Sequence, residues 1–137
     1  MDYSALEPGS KISDRTYRLD AGTVERYLLA VGDQSGLFAG EGQEALSPPM
    51  AVAAQSLRGV VKDLGIPPGT LHTSQEVQFR GAVRVGETLR CLATLSRNSV
   101  RGAWRFIDVQ LAVDDGKGRR VMTGKSSIVL PVNDGGA

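Results

Sequence analysis

The stretch SPPMAVAAQSLRGVVKDLG, residues 47–65, limits the fold more than any other part of the chain. Ser47 offers a capping hydroxyl. Pro48 and Pro49 suit a first helical turn, where a missing amide costs little. Met50-Ala51-Val52-Ala53-Ala54 then opens a helix that is apolar on nearly every side. Leu57, Val60, Val61 and Leu64 continue one face, and Arg58 and Lys62 lie on another. Gly65 and Pro67-Pro68 end it. A helix apolar all round is a buried helix. This one is too short and too interrupted to cross a bilayer, so the rest of the chain must wrap it.

The wrapper follows directly. Leu71 to Phe79, Glu87 to Ser96, Ala103 to Val113 and Arg119 to Leu130 are β-rich. Leu89, Cys91, Ala93 and Leu95 alternate onto one face, as do Ile107, Val109, Leu111 and Val113. Turn residues separate these runs: Val85-Gly86-Glu87, Arg97 to Gly102, and Asp114 to Gly118, where Asp115-Gly116 is a hairpin cue. Strands joined in sequence by short turns form an antiparallel sheet. Ahead of the apolar helix, Lys11 to Leu19 reads as a first strand. Asp20 caps a helix carrying Val24, Tyr27, Leu28 and Val31, and Gly32 stops it. The expected architecture is α+β, a long central helix against one face of a curved antiparallel sheet. The 137 residues suit one domain, 1–137, with loose termini at 1–9 and 131–137.

Composition narrows function by exclusion. A formal net charge of +1 supplies no basic face for nucleic acid or a membrane surface. The one cysteine, Cys91, precludes an intramolecular disulfide and sits in an apolar strand, where a buried inert thiol is expected. One His and one Cys argue against a zinc site within the chain. No apolar leader and no membrane-length run are visible, so a cytoplasmic location is expected.

Three stretches carry a family resemblance. YLLAVGD (Tyr27–Asp33) resembles the helix that enters the active-site loop of MaoC-like hydratases and dehydratases of the hotdog fold. SPPMAVAA (Ser47–Ala54) is similar to the start of their central helix. SQEVQFRGAVRVGETL (Ser74–Leu89) is similar to their strand, turn and Gly-acid step. The resemblance covers nearly the whole chain. It implies a double-hotdog dimer with a continuous sheet. It also implies reversible hydration of trans-2-enoyl thioesters to (3R)-hydroxyacyl thioesters. The acyl group rides on coenzyme A or acyl carrier protein, and no other cofactor is implied. Catalysis in the family uses an Asp and a His five residues apart on one loop, one activating water and the other assisting proton transfer. Amides at a helix N-terminus hold the thioester oxygen.

Within VGDQSGLFAGEGQEALSPPM, Asp33 stands at the family's aspartate position, and Phe38 stands where the histidine would be. Asp33 serves either as a turn residue binding local amides or as a pocket acid. Phe38 either packs the loop or plugs the place of the missing ring. The only histidine, His72, begins a strand. Strict alternation groups it with Ser74, Glu76 and Gln78 as a solvent-facing set, unless a bulge reverses it. Pro49, Met50 and Ala51 are the expected contacts for a thioester carbonyl, through the free Met50 and Ala51 amides.

A hotdog thioesterase would need an acid on or near the central helix. Met50 to Lys62 contains none, leaving Asp63 at the far end and Glu41 and Glu44 in the loop. The expected function is therefore acyl-thioester binding by a non-hydrating subunit paired with a dyad-bearing hotdog chain, in fatty acid or polyketide metabolism. The alternatives are a homodimeric enzyme with a repurposed pocket using Asp33 and His72 (dehydration, isomerisation or cyclisation), a thioesterase, or a module without chemistry.

Overall fold

The computed structural model describes residues 3–32, 46–67 and 69–132. Its elements run in the order β1 (Lys11–Arg18), α1 (Ala21–Val31), α2 (Pro49–Leu64), β2 (Leu71–Phe79), β3 (Thr88–Arg101), β4 (Trp104–Asp114) and β5 (Arg120–Pro131). The strands form one antiparallel sheet in the order β1-β3-β4-β5-β2, so β2 is an edge strand.

The alternation read from β3 and β4 is borne out. Leu89, Cys91, Ala93, Leu95, Ile107, Val109, Leu111 and Val113 are all buried, and they pack with Val52, Ala53, Val60 and Leu64 of α2. Removing this apolar area from water is the main stabilising term, about 25 cal/mol per Å². The half-apolar surface of α2 is what the concave sheet face covers.

Both helices end in the way their sequence implies. The Asp20 carboxylate accepts from the Thr23 amide at 2.7 Å, and Gly32 and Gly65 are left-handed at φ 69° and 60°. The start of α2 differs from expectation. Its N-cap is Pro48 with no side-chain cap, and the Ser47 hydroxyl donates to the Pro48 carbonyl instead. The buried backbone of Ser47 is held by Val83, whose carbonyl accepts from its amide at 2.8 Å.

Two further expectations are corrected and one is refined. Arg97 to Val100 do not form a turn. A register shift between Leu95 and Arg97 lets β3 continue to Arg101. The hairpin expected at Asp115-Gly116 forms there, with residues 115–119 joining β4 to β5. Buried Asp115 accepts from the Lys117 and Arg119 amides, and the left-handed residue is Gly118. The chain does not start loosely over all of residues 1–9. The Tyr3 hydroxyl donates to the Leu64 carbonyl at 2.8 Å, and the Asn98 amide donates to the Tyr3 and Leu6 carbonyls.

The Gly-acid step has a clear mechanical reason. Gly86 takes φ 96°, a region that favours glycine. Its amide reaches the Leu19 carbonyl at 2.6 Å, while the Glu87 carboxylate accepts from the Arg84 amide. The turn thereby ties the end of β1 to the start of β3.

Candidate functional site: a cleft between the central helix and the edge strand

A gap lined by apolar side chains lies between α2 and β2. Two adjoining cavities, about 370 and 240 Å³, run along α2 and share Leu57 and Val61. The first opens beside Met50 and Tyr27, at the N-terminal end of the helix. The second lies deeper, among Val60, Leu64, Val109 and Ile128. Together they make an apolar trough that starts where a helix presents its amides and ends in the core. Apolar walls with a few placed polar groups are the usual form of a ligand site.

The polar groups come from β2 and β5, through a register shift. His72 pairs with Ile128, Ser74 with Ser127 and Gln75 with Ser126. Two residues of β2 therefore pass for one of β5 between the first two pairs, which is a bulge. It places His72 opposite the buried, core-facing Ile128 and on the wall of the deeper cavity. The expected solvent-facing group of His72, Ser74, Glu76 and Gln78 is exposed throughout, and only the side of the sheet on which His72 lies is corrected. His72 belongs to the helix side of the sheet, and Glu76 and Gln78 belong to the opposite face, where they border a different hollow with Thr94 and Lys125.

Of the other expected site residues, Pro49, Met50 and Ala51 open α2. Pro49 has no N–H. Ala51 is buried, and its amide donates to the Pro48 carbonyl at 3.0 Å, so it is not the free donor expected. The Met50 amide has no acceptor among the described residues, and the Met50 side chain is half-exposed at the cleft mouth. Asp33 and Phe38, and with them Glu41 and Glu44, lie outside the described residues.

Asp63 points away from the cleft. It accepts from Arg15 Nε at 2.8 Å, from the other Arg15 nitrogen and from the Ser13 hydroxyl. The Arg15 and Ser13 hydrogen bonds hold its carboxyl well below the usual carboxylate range. It is thus a clamp between β1 and α2, not a water-activating acid. Half-buried Tyr17 and buried Cys91 lie on that same side. The Tyr17 hydroxyl bonds Val52 O and Ser56 Oγ, and burial pushes it up to about 12. Burial likewise pushes the Cys91 thiol up, as an inert core cysteine requires.

Reading the sequence alone misses Gln75 and Ser126. A serine alternating with Ile128 and Leu130 on an inward row was the available signal for Ser126. For Gln75 the signal was the same alternation, which sets it on the row of Val77, opposite Ser74 and Glu76.

A central helix wrapped by a five-stranded antiparallel sheet is the hotdog fold. The family model described as "FAS1-like, dehydratase domain region" matches residues 7–124, and the chain belongs to that family. Among solved structures it resembles the R-hydratase PhaJ1 from Pseudomonas aeruginosa, with TM-score 0.75 and 20% identity over 95% of this chain and 88% of that one. It also resembles a MaoC-like dehydratase from Rhodospirillum rubrum, with TM-score 0.74 and 16% identity over 93% and 94%. A third likeness is to the truncated HadBC (3R-hydroxyacyl-ACP dehydratase) complex from Mycobacterium tuberculosis, with TM-score 0.73 and 13% identity over 90% and 96%. At these identities the likenesses establish the fold. The curated proteins contain no significant match. The MaoC-like hotdog resemblance read from the sequence is borne out.

Proposed function

We propose that this chain binds an acyl thioester, carried on coenzyme A or acyl carrier protein, in the cleft between α2 and β2. In this reading it is the non-hydrating subunit of an (R)-specific enoyl-thioester hydratase or 3-hydroxyacyl dehydratase. The observation that carries it is the apolar trough leading into the core from the Met50 amide, which has no acceptor among the described residues. A thioester carbonyl at Met50 would meet a helix N-terminus, and its acyl chain would follow Leu57 and Val61.

Pairing completes the cleft. The free edge of β2 lies beside exposed apolar residues: Leu71, Met50, Val61 and Phe79. An unpaired strand edge with apolar flanks is stabilised by a second hotdog subunit, which would also roof the trough. Asp33, with Phe38 in place of the histidine, leaves the partner to supply the complete acid/base pair.

Hydration of crotonyl-CoA tests this. The chain alone should give no enzymatic rate, while it should retain acyl-CoA in a binding assay. An ordinary hydratase rate from the purified chain would overturn the non-hydrating assignment.

One observation favours a second reading. The bulge turns His72 toward the cleft, so a homodimer using His72 with Asp33 is a working rival. Activity of the chain alone that disappears in His72→Gln would select it.

A further inference from the structure

Two buried polar atoms on the cleft wall have no hydrogen-bond partner among the described residues. Ser126 is 2% exposed, and among the described residues its Oγ has no hydrogen-bond partner. Gln75 Nε2 is also buried without a partner. The two residues are direct cross-strand partners, so their side chains leave the same sheet face about 5 Å apart. That face looks onto Leu57, which borders both the cavity holding Gln75 and the one holding Ser126.

An isolated hydroxyl and amide in an apolar trough are costly to leave unpaired, and neither is needed to line it. Valine and leucine would serve an alkyl chain better. A hydroxyl that can donate and accept, facing an amide that donates, matches a ligand oxygen placed between them. Leu57 lies seven residues beyond Met50, about 10 Å along the helix. The oxygen is therefore far from the thioester carbonyl and from the carbons where hydration occurs.

We propose that Gln75 and Ser126 form a specificity site for an acyl chain bearing a distal oxygen, a ketone or hydroxyl, and disfavour plain alkyl chains. The assignment rests on the acyl-thioester reading of the cleft. It adds the class of acyl group: an oxygenated chain, not a simple fatty one. His72, exposed on the same wall, is the adjacent polar group.

Calorimetric titration of the full chain with decanoyl-CoA and 8-oxodecanoyl-CoA tests it. The oxo ligand should bind about tenfold tighter, the scale of one well-placed buried hydrogen bond. Ser126→Ala and Gln75→Met should each remove most of that preference, by weakening 8-oxodecanoyl-CoA and by binding decanoyl-CoA at least as tightly as the unaltered chain does. Because the Ser126 hydroxyl has no partner to lose, Ser126→Ala should also not lower the Tm of the empty protein. Equal binding of both ligands by the unaltered chain overturns the specificity site and leaves the thioester reading standing. Binding of neither overturns the thioester reading, and this proposal with it. A preference that survives both substitutions, or a Tm loss of several degrees in Ser126→Ala, assigns these residues a structural role and overturns the proposal.

Discussion

His72 stands opposite Ile128 on the β2–β5 ladder, while Ser74 stands opposite the very next residue, Ser127. That one-residue slip turns the only imidazole of the chain to the cleft side of the sheet, where it remains exposed at the wall. It also aligns Gln75 with Ser126. A side-chain period of two makes any such slip reverse every residue beyond it.

If His72 only lines the cleft, His72→Gln should change hydration by a complex with a dyad-bearing partner less than tenfold. The shape of its pH–rate profile should stay the same. Loss of about a hundredfold or more, with disappearance of one limb of the profile, would assign His72 to proton transfer.

Asp63 joins α2 to β1 through Ser13 and Arg15. Its carboxyl is depressed in the folded chain, chiefly by the Arg15 hydrogen bonds. The stabilisation is therefore complete above the unfolded value, about 4, and lost as pH falls below it. Asp63→Asn should lower the Tm at pH 7 and bring it toward that of the unaltered protein near pH 3. Melting curves across that range check the sign.

The Tyr17 hydroxyl bonds Val52 O and Ser56 Oγ in the core, so Tyr17→Phe should cost about 1–2 kcal/mol in denaturant unfolding. Burial raises the folded phenol to about 12. The unfolded phenol ionises near 10, so stability falls as pH rises from there toward about 12. Tyr17→Phe should flatten that alkaline loss.

A Cβ at Gly124 would lie 3.1 Å from the Glu76 carbonyl and 3.3 Å from Val77. The contact is partly with backbone, across the β2–β5 ladder, and cannot be relieved by rotating a side chain. Gly124→Ala should destabilise by about 1–3 kcal/mol. Urea unfolding measures it, and acyl-CoA binding should weaken in parallel because β2 carries the cleft wall.

Leu71 is 57% exposed on the free edge of the sheet. Leu71→Lys should shift the chain from a dimeric to a monomeric mass in light scattering, since an edge lysine resists strand pairing. A monomer from the unaltered chain would contradict the paired arrangement.

The sequence by itself determined most of the scaffold, for local physical reasons. An all-round apolar helix must be wrapped, and strands alternating at Leu89 to Leu95 and Ile107 to Val113 have one face to do it. Asp20, Gly32 and Gly65 mark helix ends through backbone groups only a few residues away. Pro48-Pro49 marks the start of α2 by the same kind of local rule, although it misplaced the cap.

Tertiary structure alone decided the working surface. The bulge between His72 and Ser74 has no turn residue to announce it. The pairing of β2 with β5 sets that register, and with it the face of His72 and the partner of Gln75. Asp63 became a clamp because β1, some 50 residues earlier, brings Arg15 beside it. The Ala51 amide was spent on Pro48 by the geometry of the helix start. Local signals report which faces are apolar. Only long-range pairing decides which polar groups meet in the space between them.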